Sequence, residues 1–208
     1  MYFVKTPKII TLLYRNLIWE IPNTEKKIYL TFDDGPDKDV TLQILEILDN
    51  YKTKATFFCL GKKAEKNPEI ISQILSCGHK IGNHTYNHLN GRKTNSGEYL
   101  QDIKKCDKIL DTKLFRPPYG KITRKQIKEL KDNYKIILWT VLPGDFHKNV
   151  TKEQCYKRSI RHTKSGTIIV FHDNIQTEEK VLYVLPKFLE HFISKGYTFE
   201  PINDELFI

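Results

Sequence analysis

The chain contains 208 residues, which is enough for one well-filled hydrophobic core and favours a single domain over two. Its composition is globular, with 39% hydrophobic and 28% charged residues, and no stretch approaches the roughly 20 apolar residues that a membrane span requires. The formal charge of +9 is most simply explained as promoting solubility, and an anionic substrate or membrane face is the alternative. The chain has no basic run interleaved with aromatic residues, so the charge does not indicate a nucleic-acid partner.

Residues 1–25 are predicted to be a lead-in segment. Apolar residues at roughly helical spacing predict a short amphipathic helix over residues 8–19, packed on the outside of the domain. They are Ile9, Leu12, Leu13, Leu17 and Trp19. A membrane-surface helix is the less favoured alternative, because the polar face has few basic residues. Arg15 and Asn16 interrupt the apolar run and no Ala precedes Ala55, so we expect no signal peptide and a cytoplasmic protein, with export or membrane-surface association as alternatives.

The stretch 28–36 predicts a buried strand that ends in a functional site. Its β-branched and aromatic residues run into two adjacent carboxylates, Asp33 and Asp34, and Gly35 and Pro36 then turn the chain away. Folds of this kind keep their chemistry at strand ends. Because adjacent carboxylates repel each other, we expect a metal ion on one and a basic partner for the other. The alternative is an Asp-rich turn without a function.

Strands and helices then alternate along the chain. Short apolar runs predict strands near residues 55–60, 80–82, 114–115, 135–141, 167–171 and 197–201. Helical periodicity predicts helices near residues 40–48, 62–76, 99–109, 122–130, 151–163 and 178–195, with Thr151 as an N-cap. About seven strands, each followed by a helix, indicate an α/β protein with a parallel sheet. At this length a closed or nearly closed barrel is favoured over an open doubly wound sheet.

The four cysteines do not form a disulfide pattern. Cys59, Cys77, Cys106 and Cys155 are scattered, and three of them fall within predicted strands or helices. This distribution favours reduced thiols in a cytoplasm, with a pairing such as Cys59 to Cys106 as the alternative.

A second cluster of chemical interest is His84-Thr85-Tyr86-Asn87-His88, which follows the third predicted strand. Two imidazoles four residues apart would lie on one face of a helical turn, close enough to bind one cation. Asp34 could supply a third ligand, and three protein ligands leave a position for water, as in catalytic sites. The alternative is a pair of exposed loop histidines.

Three further polar clusters follow predicted strands. They are Arg116-Pro117-Pro118-Tyr119-Gly120, Gly144-Asp145-Phe146 and His172-Asp173. Each is a weak signal alone, since an Arg near prolines usually marks a surface turn and a His after a strand is often only a capped end. Five polar clusters at five strand ends would nevertheless converge on one rim of a barrel, which is an unlikely coincidence.

The segments Thr31-Phe32-Asp33-Asp34-Gly35-Pro36 and His84-Thr85-Tyr86-Asn87-His88 resemble the polysaccharide deacetylase family, the carbohydrate esterases that share the nodulation-type deacetylase domain. The resemblance covers about residues 26–201. It implies a distorted single-domain (β/α) barrel, assigned to residues 26–208, that removes acetyl groups from N-acetylated sugars with a divalent metal. Zinc is the favoured metal. Cobalt and nickel are alternatives, because two imidazoles and a carboxylate suit all three metals.

The resemblance also implies roles for individual residues. Asp34, His84 and His88 resemble the metal ligands, and Asp33 resembles the catalytic base. Arg116 matches the arginine that orients this base, His172 the catalytic acid, and Asp145 the carboxylate that tunes the histidine. On the substrate side, the backbone N–H of Tyr119 would face the oxyanion and Val170 would line the acetyl pocket, while Pro118, Trp139 and Phe146 complete the expected substrate contacts.

One motif departs from the family pattern. Where the family usually shows Trp-x-x-Asp-x-x-Asp-Trp, this chain has Leu142 and Phe146 in place of an Asp and the second Trp. The change affects one wall of the expected sugar cleft, and with it the choice of substrate.

The sequence therefore predicts a monomeric, metal-dependent N-deacetylase of peptidoglycan, a chitin-type oligomer or a glycan precursor. Its amine leaving group must be protonated, which assigns an acid to His172 opposite the base Asp33. The alternatives are a related metal amidohydrolase acting on a non-sugar amide, and a catalytically silent carbohydrate-binding domain.

Overall fold

A computed structural model describes residues 2–207. The strands in this range are Lys27–Asp33 (β1), Thr56–Cys59 (β2), Lys80–Asn83 (β3), Leu114–Phe115 (β4), Lys135–Ile136 (β5), Ile168–His172 (β6) and Thr198–Phe199 (β7). The helices are Lys8–Leu13 (α1), Val40–Asn50 (α2), Gly61–Lys66 (α3), Pro68–Ser76 (α4), Ser96–Leu110 (α5), Arg124–Leu130 (α6), Lys152–His162 (α7) and Glu178–Ile193 (α8). Short 3-10 turns lie at Pro118–Gly120 and Asp204–Phe207.

The strands form one parallel sheet that curls into a half-barrel. Their order is β5-β4-β3-β2-β1-β6, and β7 pairs with the start of β1. Beyond β5, Val141 pairs in parallel with Ile169 of β6, which brings the two edges of the sheet together. The (β/α) barrel of about seven parallel strands predicted from the sequence is confirmed.

The alternation of side chains along β1 separates the core from the site. Ile28, Leu30 and Phe32 are fully buried in the largest apolar cluster. Burial of a side chain such as Phe32 stabilises the fold by about 2 kcal/mol. The intervening side chains of Thr31 and Asp33 point to the other face, as the two-residue period of a strand requires. β1 thus anchors the core with one face and carries the candidate chemistry on the other.

The lead-in segment is hydrogen-bonded into the seam of the barrel. The backbone N–H of Ile18 donates to the carbonyl of Ile136 over 2.9 Å, and that of Leu138 donates back to Ile18 over 2.7 Å. Nearer the start of the chain, the N–H of Leu142 donates to the carbonyl of Val4 over 2.9 Å. The residues before β1 therefore complete the sheet between β5 and β6.

Several element boundaries differ from the sequence-based expectation. The lead-in helix ends at Leu13, and the chain is no longer helical where Ile18 pairs with the sheet. The helix expected over residues 62–76 is two helices, because Pro68 starts α4 at a position where its missing N–H is not needed. The strand expected over residues 135–141 is regular only over Lys135–Ile136. The predicted N-cap is confirmed: the Thr151 hydroxyl accepts a hydrogen bond from the backbone N–H of Gln154 in a capping box.

All four cysteines are free thiols. Cys59, Cys106 and Cys155 are buried free thiols and Cys77 is a half-buried one, as the sequence predicted. Among the helices of residues 2–207, none has the length and apolar character needed to cross a membrane.

Candidate active site

The candidate base and acid lie side by side at the same end of the sheet. Asp33 and His172 end two adjacent parallel strands and are partners in the register of β1 and β6. The Asp33 side chain is almost completely buried, and that of His172 is 14% exposed. The predicted convergence of strand ends thus brings these two residues together.

Arg116 holds Asp33 from inside the barrel. Its side chain is completely buried, and its Nη1 donates to Asp33 Oδ1 over 2.6 Å and to Thr31 Oγ1 over 2.8 Å. Its other nitrogens donate to the backbone carbonyls of Ile137 and Leu138. Burial lowers the pKa of Arg116, but the charge of Asp33 opposes this, and an arginine stays cationic in a protein. The sequence-based expectation of a basic partner for one of the two acids matches this contact.

Asp34, His84 and His88 form a cluster of potential metal ligands. One ligand atom from each residue lies within 4.8 Å of the others. His88 Nε2 is 3.1 Å and His84 Nε2 3.5 Å from Asp34 Oδ1. The two imidazoles therefore point to the same place, with ring centroids 5.2 Å apart.

The predicted helical turn between these histidines is wrong. Residues 84–88 form an irregular loop in which Thr85 and His88 have positive φ angles of 66° and 61°. The loop is shaped by side chains outside it, since Asp102 Oδ2 accepts from the backbone N–H groups of Tyr86 and Asn87 over 2.8 and 3.0 Å. These bonds replace the ones that a helix would make within itself.

The histidine in the interior is prepared to act as a neutral ligand. His84 Nδ1 lies 2.8 Å from the carbonyl oxygen of Arg116, which can only accept, so Nδ1 carries the proton and Nε2 is left for the cluster. Burial lowers the pKa of His84 to about 4, so the imidazole is uncharged at neutral pH. Metal ligation requires this form.

The carboxylate of the cluster has an unsatisfied oxygen. Asp34 Oδ1 is buried without a hydrogen bond of good geometry, while Oδ2 accepts from Asn174 Nδ2 over 3.2 Å. Burial would raise the pKa of Asp34, but contact with His88 and the charge of His172 outweigh it, so the pKa is lowered. An ionised oxygen directed at two imidazole nitrogens is a donor set that fits a divalent cation.

Asp145 fixes the orientation of His172. Its Oδ1 lies 3.0 Å from His172 Nδ1, and its Oδ2 accepts from the backbone N–H of His172 over 2.7 Å. Burial would lower the pKa of His172, but the charge and hydrogen bond of Asp145 outweigh it and raise the pKa to about 10. His172 is therefore a cation at neutral pH, with Nδ1 occupied and Nε2 left to donate.

A groove of about 1060 Å³ runs over these residues. Tyr119, Trp139, Phe146 and Val170 line it as predicted, whereas Pro118 is buried and is not one of the described residues that line the groove. Leu142, which departs from the family motif, also lines it. The ring of Phe146 meets that of His172 edge-on at a centroid distance of 5.2 Å.

The lead-in segment forms part of the groove wall, which the sequence did not indicate. The residues it contributes are Tyr2, Phe3, Thr6, Ile10, Tyr14, Leu17 and Trp19. The ring of Tyr2 packs against that of Phe146 in a tilted arrangement at a centroid distance of 5.1 Å, and its hydroxyl accepts a hydrogen bond from Arg158 Nη1 over 2.9 Å. Gly144 allows this packing, because a Cβ there would lie 2.0 Å from the Tyr2 oxygen.

Unusual backbone conformations are concentrated around the groove. Asp34 and Tyr119 have φ angles of 78° and 59°, in addition to the two positive values in the histidine loop. A non-glycine residue in this region costs about 1 kcal/mol or more, and such residues cluster at functional sites. The ring of Tyr119 lies 4.6 Å from that of His88, so this strained turn borders the ligand cluster.

The curled parallel barrel carries a cluster that could hold a divalent cation, a buried acid held by an arginine, and a histidine held by an aspartate. This arrangement is suited to hydrolysis. Comparison with known proteins agrees, because the family model described as polysaccharide deacetylase matches residues 20–134. The chain belongs to the polysaccharide deacetylase family, and the family resemblance and hydrolase class inferred from the sequence are confirmed.

Individual relatives support this membership. The chain is 36% identical over 196 residues to a Bacillus cereus peptidoglycan-N-acetylglucosamine deacetylase, covering 90% of this chain and 92% of that protein. It is 34% identical to the Listeria monocytogenes peptidoglycan-N-acetylglucosamine deacetylase PgdA, of which it spans only 41%.

Solved structures show the same fold. A crystal structure of a peptidoglycan N-acetylglucosamine deacetylase, in complex with 4-naphthalen-1-yl-N-oxidanyl-benzamide, superposes with a TM-score of 0.87 at 33% identity and covers 95% of both chains. A family 4 carbohydrate esterase pseudoenzyme from Bacillus anthracis superposes with a TM-score of 0.80 at 26% identity, covering 91% of this chain and 68% of that one. The fold is therefore shared by relatives with and without activity.

Proposed function

We propose that this protein is a metal-dependent N-deacetylase that hydrolyses the acetamide of an N-acetylated amino sugar in peptidoglycan, a chitin-type oligomer or a glycan precursor. The observation that carries the proposal is the register of β1 and β6, which sets the base Asp33 beside the acid His172. The Asp-His-His cluster lies at the same end of the sheet. The names of the relatives, which are peptidoglycan deacetylases, support the substrate class.

A divalent cation bound by Asp34, His84 and His88 would polarise the acetyl carbonyl and acidify a water molecule. Zinc suits this donor set, as do cobalt and nickel. His84 is already neutral and Asp34 already ionised, as metal ligation requires. Binding of the cation therefore does not require either residue to release a proton.

The residues of the chain divide the proton transfers between them. Asp33 accepts the proton of the attacking water, and Arg116 orients its carboxylate through the 2.6 Å contact. His172, held as a cation by Asp145, donates a proton from Nε2 to the amine as the C–N bond breaks. The Tyr119 backbone N–H is assigned to the carbonyl oxygen, where one oriented donor contributes roughly 3 kcal/mol to the transition state. Val170 would contact the acetyl methyl group.

The alternatives from the sequence are distinguished by specific features. Against a silent carbohydrate-binding domain, base, acid and ligand cluster are all present, and a binder has no use for the buried pair of Asp33 and Arg116. A non-sugar amide is the stronger rival, since Phe146 and Leu142 change the groove where the leaving group would lie.

The test measures acetate release from N-acetylglucosamine oligomers, peptidoglycan and N-acetylated non-sugar amines. We expect activity on the sugars, loss with a chelator and recovery on adding Zn²⁺ or Co²⁺. Asp34→Asn should abolish both metal binding by calorimetry and turnover, whereas Asp33→Asn should abolish turnover only; the exposed Asp49→Asn serves as the matched control. Activity that survives chelation would overturn the metal mechanism, and turnover of only the non-sugar amides would overturn the substrate class.

We further propose, from the sequence and the +9 charge, that the enzyme works as a monomer in the cytoplasm on a nucleotide-linked or lipid-linked sugar. Cell fractionation and sedimentation measure both properties. Recovery of the protein outside the cytoplasmic membrane would overturn the assigned location.

A further inference from the structure

The lead-in segment exposes a group of large apolar side chains. Ile9, Leu12 and Leu13 of α1 are 67%, 57% and 64% exposed, and Phe3 is 52% exposed. Their i, i+3 and i+4 spacing places the three α1 residues on one side of the helix. No residue of α1 is buried. We call Ile9, Leu12 and Leu13 the outer face of α1.

Cations surround this outer face. Lys5, Lys8 and Arg15 are exposed, and no Asp or Glu precedes Glu20. Leu12 and Leu13 also border a shallow depression whose other walls include the exposed Arg124, Lys128 and Lys131 of and just after α6. No acidic side chain is among the described residues that line this depression. The sequence disfavoured a membrane-surface helix because the segment itself has few basic residues, but the fold adds those of α6.

The opposite side of the same segment belongs to the substrate groove. Ile10 lines the groove, whereas Leu12 and Leu13 line only the depression. Tyr14 and Leu17 lie between the two and line both. An α-helix with its side chains is about 10–12 Å across, so the outer face lies within roughly this distance of the groove wall.

We propose that the outer face of α1 docks on an anionic lipid bilayer and brings the groove to the membrane surface. Exposed apolar side chains flanked by Lys and Arg insert at the boundary of headgroups and acyl chains, and the cations are attracted to anionic lipid. A second copy docked through this same face would bring like charges together, since no acidic side chain is among the described residues that line the depression. The inference does not depend on the proposed deacetylation, because docking requires neither the ligand cluster nor turnover.

Flotation of the full chain with lipid vesicles tests the inference. The vesicles contain either phosphatidylcholine alone or an equimolar mixture with phosphatidylglycerol. We expect binding to the mixture only, weakened by added NaCl. Leu12→Ser with Leu13→Ser should lower the partition coefficient at least about tenfold, given the apolar area that is lost. Lys8→Ser with Arg15→Ser should lower it by about tenfold or more, since each cation near the surface contributes about fivefold.

The matched control is Leu75→Ser with Ile193→Ser, whose side chains are 47% and 40% exposed on other helices. This variant should bind like the wild type, and all three variants should retain the melting temperature. Equal binding to both kinds of vesicle, or equal losses in the control, would overturn the inference. The inference would also be overturned if the wild type formed a dimer that did not bind vesicles while the Leu12 and Leu13 variant was monomeric. The outer face would then join two copies of the chain.

Discussion

The contact between Arg116 and Asp33 gives a sharp prediction about stability. Both side chains are buried, and the guanidinium donates four hydrogen bonds, to Asp33, to Thr31 and to two backbone carbonyls. Arg116→Met retains much of the apolar volume but leaves the Asp33 carboxylate buried without a countercharge. Removal of one partner from a buried ion pair typically costs about 3–5 kcal/mol. We expect the free energy of unfolding at neutral pH to fall by this amount.

The second partner tests the origin of the loss. Arg116→Met would leave the Asp33 carboxylate charged and unpaired, and Asp33→Asn removes that charge. The double variant should therefore be more stable than Arg116→Met alone, with a coupling energy of about 2 kcal/mol. Urea unfolding followed by circular dichroism measures the cycle, with chelator present so that metal binding to the folded state does not contribute. Both single variants should be inactive, so activity cannot substitute for this measurement.

Arg161→Met, which removes an exposed arginine from the last turn of α7, is the control and should change stability by less than about 0.5 kcal/mol. The reasoning is refuted if Arg116→Met costs no more than this control. It is equally refuted if the two losses in the cycle simply add, because the carboxylate would then not depend on the guanidinium.

Three further variants probe the acid, a buried carboxyl group and the groove wall. Asp145→Asn should lower kcat for acetate release at least about a hundredfold, because it no longer holds His172 as an oriented cation. Burial raises the pKa of Asp173 from 3.8 to about 7, so its protonated form stabilises the fold at low pH, and this stability is lost as the pH rises from about 4 through 7. Asp173→Asn should flatten that dependence of the unfolding free energy, by up to about 4 kcal/mol. Tyr2→Ala should raise KM about threefold to tenfold by releasing Phe146, whereas Tyr2→Phe keeps the ring and should act nearly like the wild type.

Each of these variants has its own contradicting result. An unchanged kcat and pH profile in Asp145→Asn would show that His172 does not donate the proton. For the buried carboxyl, a melting temperature with the same pH dependence in Asp173→Asn and the wild type would show that another group titrates. If Tyr2→Phe raised KM as much as Tyr2→Ala, the hydrogen bond to Arg158 rather than the packing of the ring would support the groove.

The features that the sequence predicted well have local causes. The strand of residues 28–33 alternates between two faces and stops at Gly35 and Pro36, and both signals lie within a few residues of Asp33 and Asp34. His172 likewise ends a continuous apolar strand. Because parallel strands end at one rim, local patterns were sufficient to place acids and histidines near each other.

The features that the sequence failed to predict depend on distant partners. The shape of the histidine loop depends on its hydrogen bonds to Asp102, which lies 16 residues after Tyr86 along the chain. The spacing of residues within the loop therefore could not reveal its conformation. The strand after Lys135–Ile136 became irregular because the lead-in segment pairs with Ile137 and Val141 there. Nothing in the pattern of residues 2–19 indicated a groove wall, since the same apolar residues also fit a helix lying on the surface.

The seam between β5 and β6 has a practical consequence for anyone who fuses another polypeptide to this enzyme. Residues 4 and 18 are held in the barrel by backbone hydrogen bonds, and Tyr2 packs against Phe146 beside His172. A polypeptide fused to the start of the chain would therefore be attached close to the mouth of the groove. Its size and charge would then affect access to the groove.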